Sequence, residues 1–289
     1  MVVLNADNSF VTFYNLSNDQ GADYFITDTE CGIQKDFCYP IYDEKDLLFQ
    51  TNIISSEVLT SDNIDVQRIP SSGTGVTLTG VALQINQVGL YQGTTPIYNV
   101  YFSFFSSDLT QGLDDGDCFR IGIIAGGSID LAYFVSNQCF KKVNDKCLTS
   151  KLRYTNTDNA FGFYYDLGSG QPNAIRLPIY FKEPIVSSDK NVYVKSDGSR
   201  KLLSARLSKQ YKGYIDAVGE DVHQKLVVAL NHDDVRFVPE EYPNLNGFKC
   251  TFEDEYNNEF PTIMQNVNVW PADFVIFETP FNNFNSNCG

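Results

Sequence analysis

Both histidines of the chain, His223 and His232, lie in one short stretch, GEDVHQKLVVALNHDDVRFV, at residues 219–238. Imidazole nitrogens bind metal ions and exchange protons near neutral pH, so this stretch is the first candidate for a metal or catalytic site. On a continuous helix, nine positions would place the two rings on opposite flanks, about 13 Å apart along the axis. Their spacing also differs from the i, i+4 pair of helical zinc ligands. We therefore expect two structural histidines and no bound metal.

The same stretch predicts the single helix that the sequence indicates, at about residues 219–231. Glu220 and Asp221 stand at its amino end, where acidic side chains suit the helix dipole. Its apolar residues recur at the spacing of one helical face. That face consists of Val222, Leu226, Ala229 and Leu230. We expect this face to anchor the helix onto a β domain.

Two acidic clusters offer carboxylates for other chemistry. Residues 114–117, DDGD, resemble half of a calcium loop, but no glutamate stands at the closing position of an EF-hand. Residues 253–255, EDE, together with Glu259, could supply the acid pair of a glycoside hydrolase. A chain with 36 acidic residues offers such pairs by chance. We expect an exposed turn at the first cluster and assign no catalytic residue to either one.

The other common catalytic and nucleotide-binding motifs are absent from the sequence. It contains no G-x-S-x-G nucleophile elbow. It also contains neither the phosphate loop G-x-x-x-x-G-K-[ST] nor the dinucleotide-binding pattern G-x-G-x-x-G. We therefore expect no enzymatic activity, no catalytic residue and no cofactor.

The seven cysteines are odd in number and lack the paired C-x-x-C spacing of a zinc or redox site. They are Cys31, Cys38, Cys118, Cys139, Cys147, Cys250 and Cys288. We expect most of them to be free thiols buried as small apolar residues. An extracellular protein would instead form disulfides and leave one cysteine over.

The net charge of −15 argues against a general attraction to nucleic acid, because the overall field repels phosphate. The richest basic run, KSDGSRKLLSARLSKQYK at residues 195–212, carries six lysines or arginines. We expect a solvated strand-and-turn face there, with nucleic-acid contact as the alternative. No segment approaches the roughly 18 apolar residues of a membrane helix, and the amino terminus becomes polar too early for a signal peptide. We expect a protein that is made and kept in a cytoplasm, with no membrane partner.

Most of the chain consists of short runs rich in β-branched and aromatic residues, which predict strands separated by turns. Clear examples are DLLFQTNII, IYNVYFSFF, CFRIGIIAG, FGFYYDL, AIRLPIYF and PADFVIFE. Helices do not alternate with these runs, so a layered α/β fold is not expected. We predict a mainly β chain of two β-sandwich-like domains, residues 1–148 and 149–289, with the helix and an Asn-rich tail in the second. The polar run KKVNDKCLTSK marks the boundary.

Six segments between residues 46 and 235 carry distinctive patterns. They are DLLFQTNI at 46–53, GDCFRIGI at 116–123, LTSKLRYTNTDNAFGFYYD at 148–166, NAIRLPIYFKEP at 173–184, VYVKSDGSRKLLSARLSKQY at 192–211 and HQKLVVALNHDDV at 223–235. With their IRLP strand, KSDG turn and short HQKLVVAL helix in this order, they resemble a group of β-rich virion proteins from tailed phages of Bacteroidetes, including crAss-like phages. No catalytic residue comes with this resemblance.

The resemblance implies a structural component of the phage tail, or of the junction between tail and capsid. Such a protein would assemble with copies of itself into a symmetric, ring-like oligomer and with other tail or portal proteins. It would be located in the virion, after assembly in the cytoplasm of the host bacterium. Genomic DNA would pass through the assembly without sequence-specific binding.

Two other functions remain open from the sequence alone. A receptor- or glycan-binding module of a fibre or adhesin could stack sugars on Tyr164, Tyr165 and Trp270, although such aromatic residues are more often core or cross-strand pairs. A glycoside hydrolase would use acids such as Asp117 or Glu253.

Overall fold

Strands make up most of the computed structural model, which confirms the mainly β class predicted from the sequence. The described residues are 1–5, 9–15, 37–70, 75–105, 108–126, 132–159, 162–166, 170–239, 248–257, 270–278 and 283–285. Within this description, the side chains of residues 206, 207, 239, 248, 253–255 and 283–285 are not included.

The described residues contain twenty strands, one α-helix and two short 3-10 turns. The strands are β1 Val2–Leu4, β2 Phe13–Asn15, β3 Tyr39–Ile41, β4 Leu48–Ile54, β5 Ile64–Pro70, β6 Val76–Thr77, β7 Ala82–Tyr91, β8 Thr95–Ser103, β9 Cys118–Ala125, β10 Ala132–Ser136, β11 Phe140–Lys142, β12 Ser150–Thr155, β13 Asn173–Leu177, β14 Ile179–Phe181, β15 Ile185–Val194, β16 Arg200–Val218, β17 Asp234–Pro239, β18 Phe248–Asn257, β19 Trp270–Glu278 and β20 Asn283–Asn285. The helix is α1, Glu220–Leu230, and the 3-10 turns are Glu44–Asp46 and Ser61–Asn63.

The strands form two sheets. In the larger sheet, of 13 strands, the order is β14-β16-β19-β18-β17-β12-β13-β4-β8-β7, with β1 beside β4 and with β15 and β20 beside β16. In the smaller sheet, of seven strands, the order is β2-β10-β9-β11-β3, with β5 beside β9 and β6 beside β5. Strands β3 and β11 run parallel.

A hydrophobic core lies between the two sheets, and buried side chains from both form one cluster. Phe13 of β2, in the smaller sheet, lies 5.8 Å from Phe49 of β4, in the larger sheet, measured between ring centroids. Phe10 contacts Tyr39 of β3 and Tyr154 of β12, again one residue from each sheet. The body is therefore sandwich-like, with aromatic side chains filling the space between the sheets.

The predicted boundary between residues 148 and 149 falls between β11 and β12. Strands from both sides of it take part in the larger sheet, where Leu48 of β4 pairs with Ala174 of β13. The core cluster also draws its side chains from both halves of the chain. The division into two domains stays a prediction, and the described residues share one core across it.

Helix α1 begins and ends within one residue of the predicted range. The predicted apolar face is confirmed, because Val222, Leu226, Ala229 and Leu230 are all buried in the common core. Lys225 lies beside this face, and its ammonium group reaches the carboxylate of Asp221 at 2.8 Å.

Strand β12 illustrates how the sequence sets the two faces of the larger sheet. Leu152 and Tyr154 are buried in the core, whereas Arg153 between them is exposed. Successive side chains of a strand point to opposite faces, so Arg153 lies on the face that is turned away from the core.

The segment FGFYYDL was predicted as a strand, but its described residues, 162–166, do not form one. Residues 162–166 instead lie irregularly beside β4 and β8, where buried amide side chains hold them. The side-chain amides of Asn52 and Asn99 donate to the carbonyl of Tyr164 at 2.9 and 3.0 Å. The N–H of Tyr164 donates in return to Oδ1 of Asn52 at 2.8 Å. These side chains supply the hydrogen bonds that a neighbouring strand would otherwise provide.

Two of the cysteines, which were expected to be mostly free thiols, form a disulfide. Cys38 and Cys139 form a disulfide, with their Cα atoms 4.9 Å apart. Each precedes one strand of the parallel pair β3 and β11, in which Tyr39 lies opposite Phe140. The strand pairing therefore brings together two thiols that are 101 residues apart in sequence.

The remaining cysteines divide into three groups. Cys118 and Cys250 are buried thiols, as predicted, and burial raises the pKa of the Cys250 thiol well above its ordinary value. Cys147 is exposed. Cys31 and Cys288 lie outside the described residues.

A buried ion pair joins the turn before β4 to strand β13. Nε and Nη2 of Arg176 donate to the two carboxylate oxygens of Asp46, at 2.7 and 2.8 Å, and neither side chain is more than 2% exposed. Nη1 of Arg176 donates to the hydroxyl of Thr149 at 2.9 Å. The backbone N–H groups of Tyr42 and Asp43 donate to Asp46 at 2.9 and 3.1 Å. This set of partners offsets the desolvation of both charges.

The pair also sets the protonation behaviour of Asp46. Burial alone would raise the pKa of this carboxyl, but the hydrogen bond and positive charge of Arg176 outweigh burial and hold the pKa below its ordinary value. Lys151, at 3.7 Å, acts in the same direction. Because the folded pKa is lower than the unfolded pKa of about 3.9, the stabilisation is present above that pH and is lost as the pH falls through the folded value.

We expect Asp46→Asn to lower the free energy of unfolding at pH 7 by about 3–5 kcal/mol, because it leaves the guanidinium of Arg176 buried without its counter-charge. Urea unfolding at several pH values measures this. The difference in the free energy of unfolding between Asp46→Asn and the unmodified protein should become smaller in acid, since both proteins then carry an uncharged side chain at position 46. Asp62→Asn, which changes an exposed carboxylate, is the control. A loss as small as that of a surface pair, below about 1 kcal/mol, would contradict this role.

Candidate assembly surface

A hairpin at residues 185–210 has one fully exposed strand, and we call this hairpin the arm. It consists of β15 and the first part of β16, paired in antiparallel register from Ile185 and Gln210 to Val194 and Arg200. All ten residues of β15 are exposed, so nothing in the described structure covers either face of that strand. Within the described residues, β15 pairs only with β16, which leaves its outer edge open.

The turn at the tip of the arm, residues 195–199, is well defined. The N–H of Lys195 donates to the carbonyl of Ser199 at 2.8 Å, and the N–H of Gly198 donates to the carbonyl of Lys195 at 2.9 Å. Gly198 has a φ of +82°, which favours glycine at this position. Asp197 accepts a hydrogen bond from the N–H of Ser199 at 2.8 Å. The arm is therefore a formed hairpin up to its tip.

The arm exposes a concentration of apolar side chains. Thirteen large apolar residues are exposed among the described ones, and six of them lie on the arm. These six are Ile185, Val186, Val192, Tyr193, Val194 and Leu202. Val192 lies directly opposite Leu202, and Val194 is two positions further along the same strand, so these three share one face near the tip. Contiguous exposed apolar residues mark surfaces that bind a partner.

The arm is also basic within an acidic chain. It carries six basic and two acidic residues, a net charge of +4. The whole chain carries −15, so the 263 residues outside the arm carry a net charge of −19. Lys209, at the base of the arm, pairs with Glu278 at 2.9 Å. Four other cations form no ion pair with a described residue: Lys190, Lys195, Arg200 and Lys201. The predicted basic run at 195–212 is thus a turn and strand, as expected.

The structure fixes His223 through aromatic neighbours. Its Nε2 donates to the carbonyl of Trp270 at 2.9 Å, so its Nδ1 accepts from the hydroxyl of Tyr256 at 2.6 Å. The imidazole ring also stacks on the indole of Trp270, at 5.1 Å between centroids. These contacts attach the first turn of α1 to strands β18 and β19.

His232 has the opposite tautomer at the other end of the helix. Its Nδ1 donates to the carbonyl of Val228 at 2.9 Å, and its Nε2 accepts from the hydroxyl of Tyr165 at 2.7 Å. Its ring also meets the ring of Tyr154 edge-on, at 4.9 Å. The two histidines therefore have separate partners. In the part of the chain that is described, no group of three or more His, Cys, Asp or Glu side chains could hold a metal ion.

The first acidic cluster forms a turn that its own carboxylates stabilise. Asp117 accepts a hydrogen bond from the N–H of Asp114 at 2.8 Å, and Asp115 accepts one from the N–H of Asn144 at 3.0 Å. Gly116, with a φ of +93°, donates its N–H to the carbonyl of Lys142 at 2.9 Å. This is the exposed turn expected from the sequence.

The second acidic cluster falls largely outside the description. Residues 253–255 lie in β18, but their side chains are not described, and Glu259 lies outside the described residues.

The aromatic residues proposed for sugar stacking do not form an open platform. Tyr165 and Trp270 are 3% and 5% exposed, and both contact histidines inside the body. Tyr164 is half-buried, and its backbone is held by Asn52. A glycan-binding site at these three residues has no support from their geometry.

Comparison with known proteins gives no relative: no protein-family model, no curated protein and no solved structure matches the chain. No helix among the described residues is long and apolar enough to cross a membrane.

We expect the free energy of unfolding to fall as the pH decreases from about 7 to 5. Burial lowers the pKa of both histidines, although hydrogen bonds to backbone carbonyls act in the opposite direction. Between the unfolded pKa of about 6.5 and the lower folded value, the unfolded chain binds protons that the folded chain does not. Stability is therefore lost through this range and levels off below the folded pKa.

Urea unfolding between pH 5 and 8 measures this slope. His223→Asn and His232→Asn should each make the dependence on pH shallower, and neither should change the metal content measured by mass spectrometry. An unchanged slope in both variants, or stoichiometric zinc that either substitution removes, would contradict the structural role of the histidines.

Proposed function

We propose that this protein is a non-enzymatic structural protein of a bacteriophage virion, which assembles with copies of itself through the arm. The observation that carries the proposal is the arm itself. It combines exposed apolar side chains near its tip with four cations that form no ion pair in the described structure.

The exposure of β15 on both faces supports a role of the arm in assembly. Between Ser204 and the tip the arm has only two strands, and a two-stranded hairpin is marginally stable in water, so a partner that buries its apolar residues would also stabilise its conformation. Val192, Val194 and Leu202 offer the apolar contact. The open edge of β15 offers unpaired backbone groups for the addition of another strand.

Charge favours a second copy of the chain as the partner. The arm carries +4 and the rest of the chain −19, so the arm of one copy is attracted to the body of the next. The cations near the tip would then meet carboxylates of the neighbouring body. Contacts between like surfaces, arm against arm, would instead bring positive charges together.

Such a contact joins two different surfaces, and this favours a ring. A heterologous contact repeats from one copy to the next. The copies close into a ring when a whole number of them completes a full turn of 360°. A symmetric, ring-like oligomer is therefore the assembly that we propose.

The placement in a virion rests on the resemblance of residues 46–235 to β-rich proteins of phages that infect Bacteroidetes. We propose a position in the tail, or at the junction between tail and capsid, in contact with other tail or portal proteins after assembly in the host cytoplasm. The acidic body suits the wall of a DNA conduit, because attraction to phosphate would slow the passage of DNA.

Replacement of apolar residues on the arm tests the proposal. We expect the unmodified protein to form a closed oligomer, visible by light scattering and electron microscopy. Val192→Ser with Leu202→Ser should shift it to the monomer without loss of the β-sheet circular dichroism signal, because both side chains are exposed. Val58→Ser is the matched control, since Val58 is 75% exposed and lies outside the arm.

Charge reversal tests the electrostatic part separately. Arg200→Glu with Lys201→Glu should weaken assembly, and high salt should weaken assembly of the unmodified protein, because both reduce the attraction between arm and body. A protein that stays monomeric at every concentration and never associates with phage particles would overturn the proposal. So would arm variants that assemble as well as the Val58→Ser control.

A further inference from the structure

Three basic side chains lie in register across three neighbouring strands of the larger sheet. Arg153 of β12 pairs with Arg236 of β17, and Arg236 pairs with Lys249 of β18. Side chains directly opposite each other in antiparallel strands have Cβ atoms about 4.5–5.5 Å apart, so like charges in these positions repel. A bound anion would remove this repulsion.

One acidic residue lies within this basic row and balances only part of its charge. The carboxylate of Asp234 accepts hydrogen bonds from Nε and Nη2 of Arg236, at 3.1 and 3.2 Å. It also lies 3.8 Å from Nζ of Lys249. Arg153 forms no ion pair with any described residue. Asp233 also interacts electrostatically with Lys249, so Arg153 is the cation of the row that has no carboxylate partner among the described residues.

The row borders an open depression of about 270 Å³, which is lined by Arg153, Asp234 and Arg236 and also by Gly170 and Pro172. Its volume suits a small ligand, since it lies just below the range of drug-sized sites, about 300–1,000 Å³.

Two hydrogen bonds fix the part of the depression around Gly170 and Pro172. The carbonyl of Gln171, between them, accepts from the hydroxyl of Thr155 at 3.2 Å and from Nε2 of Gln50 at 2.6 Å. This lining is therefore attached to strands β12 and β4, next to the basic row.

We propose that this depression binds a phosphate group, as the free ion or as a small phosphomonoester, with Arg153 and Arg236 as its ligands. Guanidinium groups present several N–H donors in a planar fork, and this geometry matches the oxygens of phosphate. Arg153, Arg236 and Asp234 together give the lining of the depression a net charge of +1, which favours an anion in a chain that is acidic overall. Asp234 holds Arg236 in position through Nε and Nη2, which leaves Nη1 to face the ligand. The site is independent of the arm.

Binding of inorganic phosphate and of ribose 5-phosphate, followed by calorimetry and thermal unfolding at constant ionic strength set with sodium chloride, tests this proposal. We expect saturable binding, with a Tm that rises as the phosphate concentration rises. Arg153→Gln should weaken binding by about tenfold to a hundredfold, because a hydrogen-bonded ion pair is lost. This variant should not lower the Tm without phosphate, since Arg153 is exposed, forms no ion pair with a described residue and lies opposite the like charge of Arg236.

Arg200→Gln, on the arm, is the matched control, because it removes the same charge at another exposed position and should not affect phosphate binding. Equal affinity for the two probes would identify the free ion as the ligand, whereas tighter binding of ribose 5-phosphate would show that the depression also holds the organic part. The proposal is overturned if phosphate stabilises the protein no more than chloride of equal ionic strength. It is also overturned if Arg153→Gln binds phosphate as well as the unmodified protein does.

Discussion

The continuity of the larger sheet depends on the buried pair of Asp46 and Arg176. Strand β4 pairs with β8 over its whole length, but it meets β13 at a single register position, Leu48 opposite Ala174. The ion pair lies at this junction, because Asp46 stands just before β4 and Arg176 lies in β13. A bidentate hydrogen bond between inaccessible charges thus reinforces the place where strand pairing is weakest. Removal of either charged side chain would leave the other one buried without its counter-charge.

Beyond this junction, the chain has a body and an arm that differ in physical character. The body has aromatic contacts between its sheets, a helix attached through two histidines and a disulfide between β3 and β11. The arm has none of these: β15 pairs with β16 alone, and within the arm β16 also meets β20 at Ser204–Arg206 and β19 at Gln210. Segments with few buried contacts open at low free energy, and such segments commonly order when a partner binds. A rigid acidic body and a basic, exposed arm are the two surfaces that a head-to-tail assembly requires.

Local features of the fold could be predicted from the sequence, whereas features that depend on distant pairing could not. The apolar face of α1 is set by a spacing of three and four residues, and most strands follow from local composition. The partners Asp46 and Arg176 are 130 residues apart, and the cysteines of the disulfide are 101 apart. The sequence FGFYYDL has strand composition, yet in its described residues, 162–166, side-chain amides of β4 and β8 hold the backbone of Tyr164 in an irregular conformation. The row of Arg153, Arg236 and Lys249 appears only once the strand register is known.

Hydrogen exchange of the backbone amides, in the dissociated and in the assembled protein, tests most directly whether one cooperative body carries an arm that orders on assembly. We expect the amides of β4, β8, β17 and β19 to exchange with the same free energy of opening, because they share one core. We expect those of residues 186–208 to exchange much faster in the dissociated protein and to become protected in the assembly. Different free energies of opening for the strands before and after residue 148 would contradict this account. So would an arm that is equally protected in the dissociated and in the assembled protein.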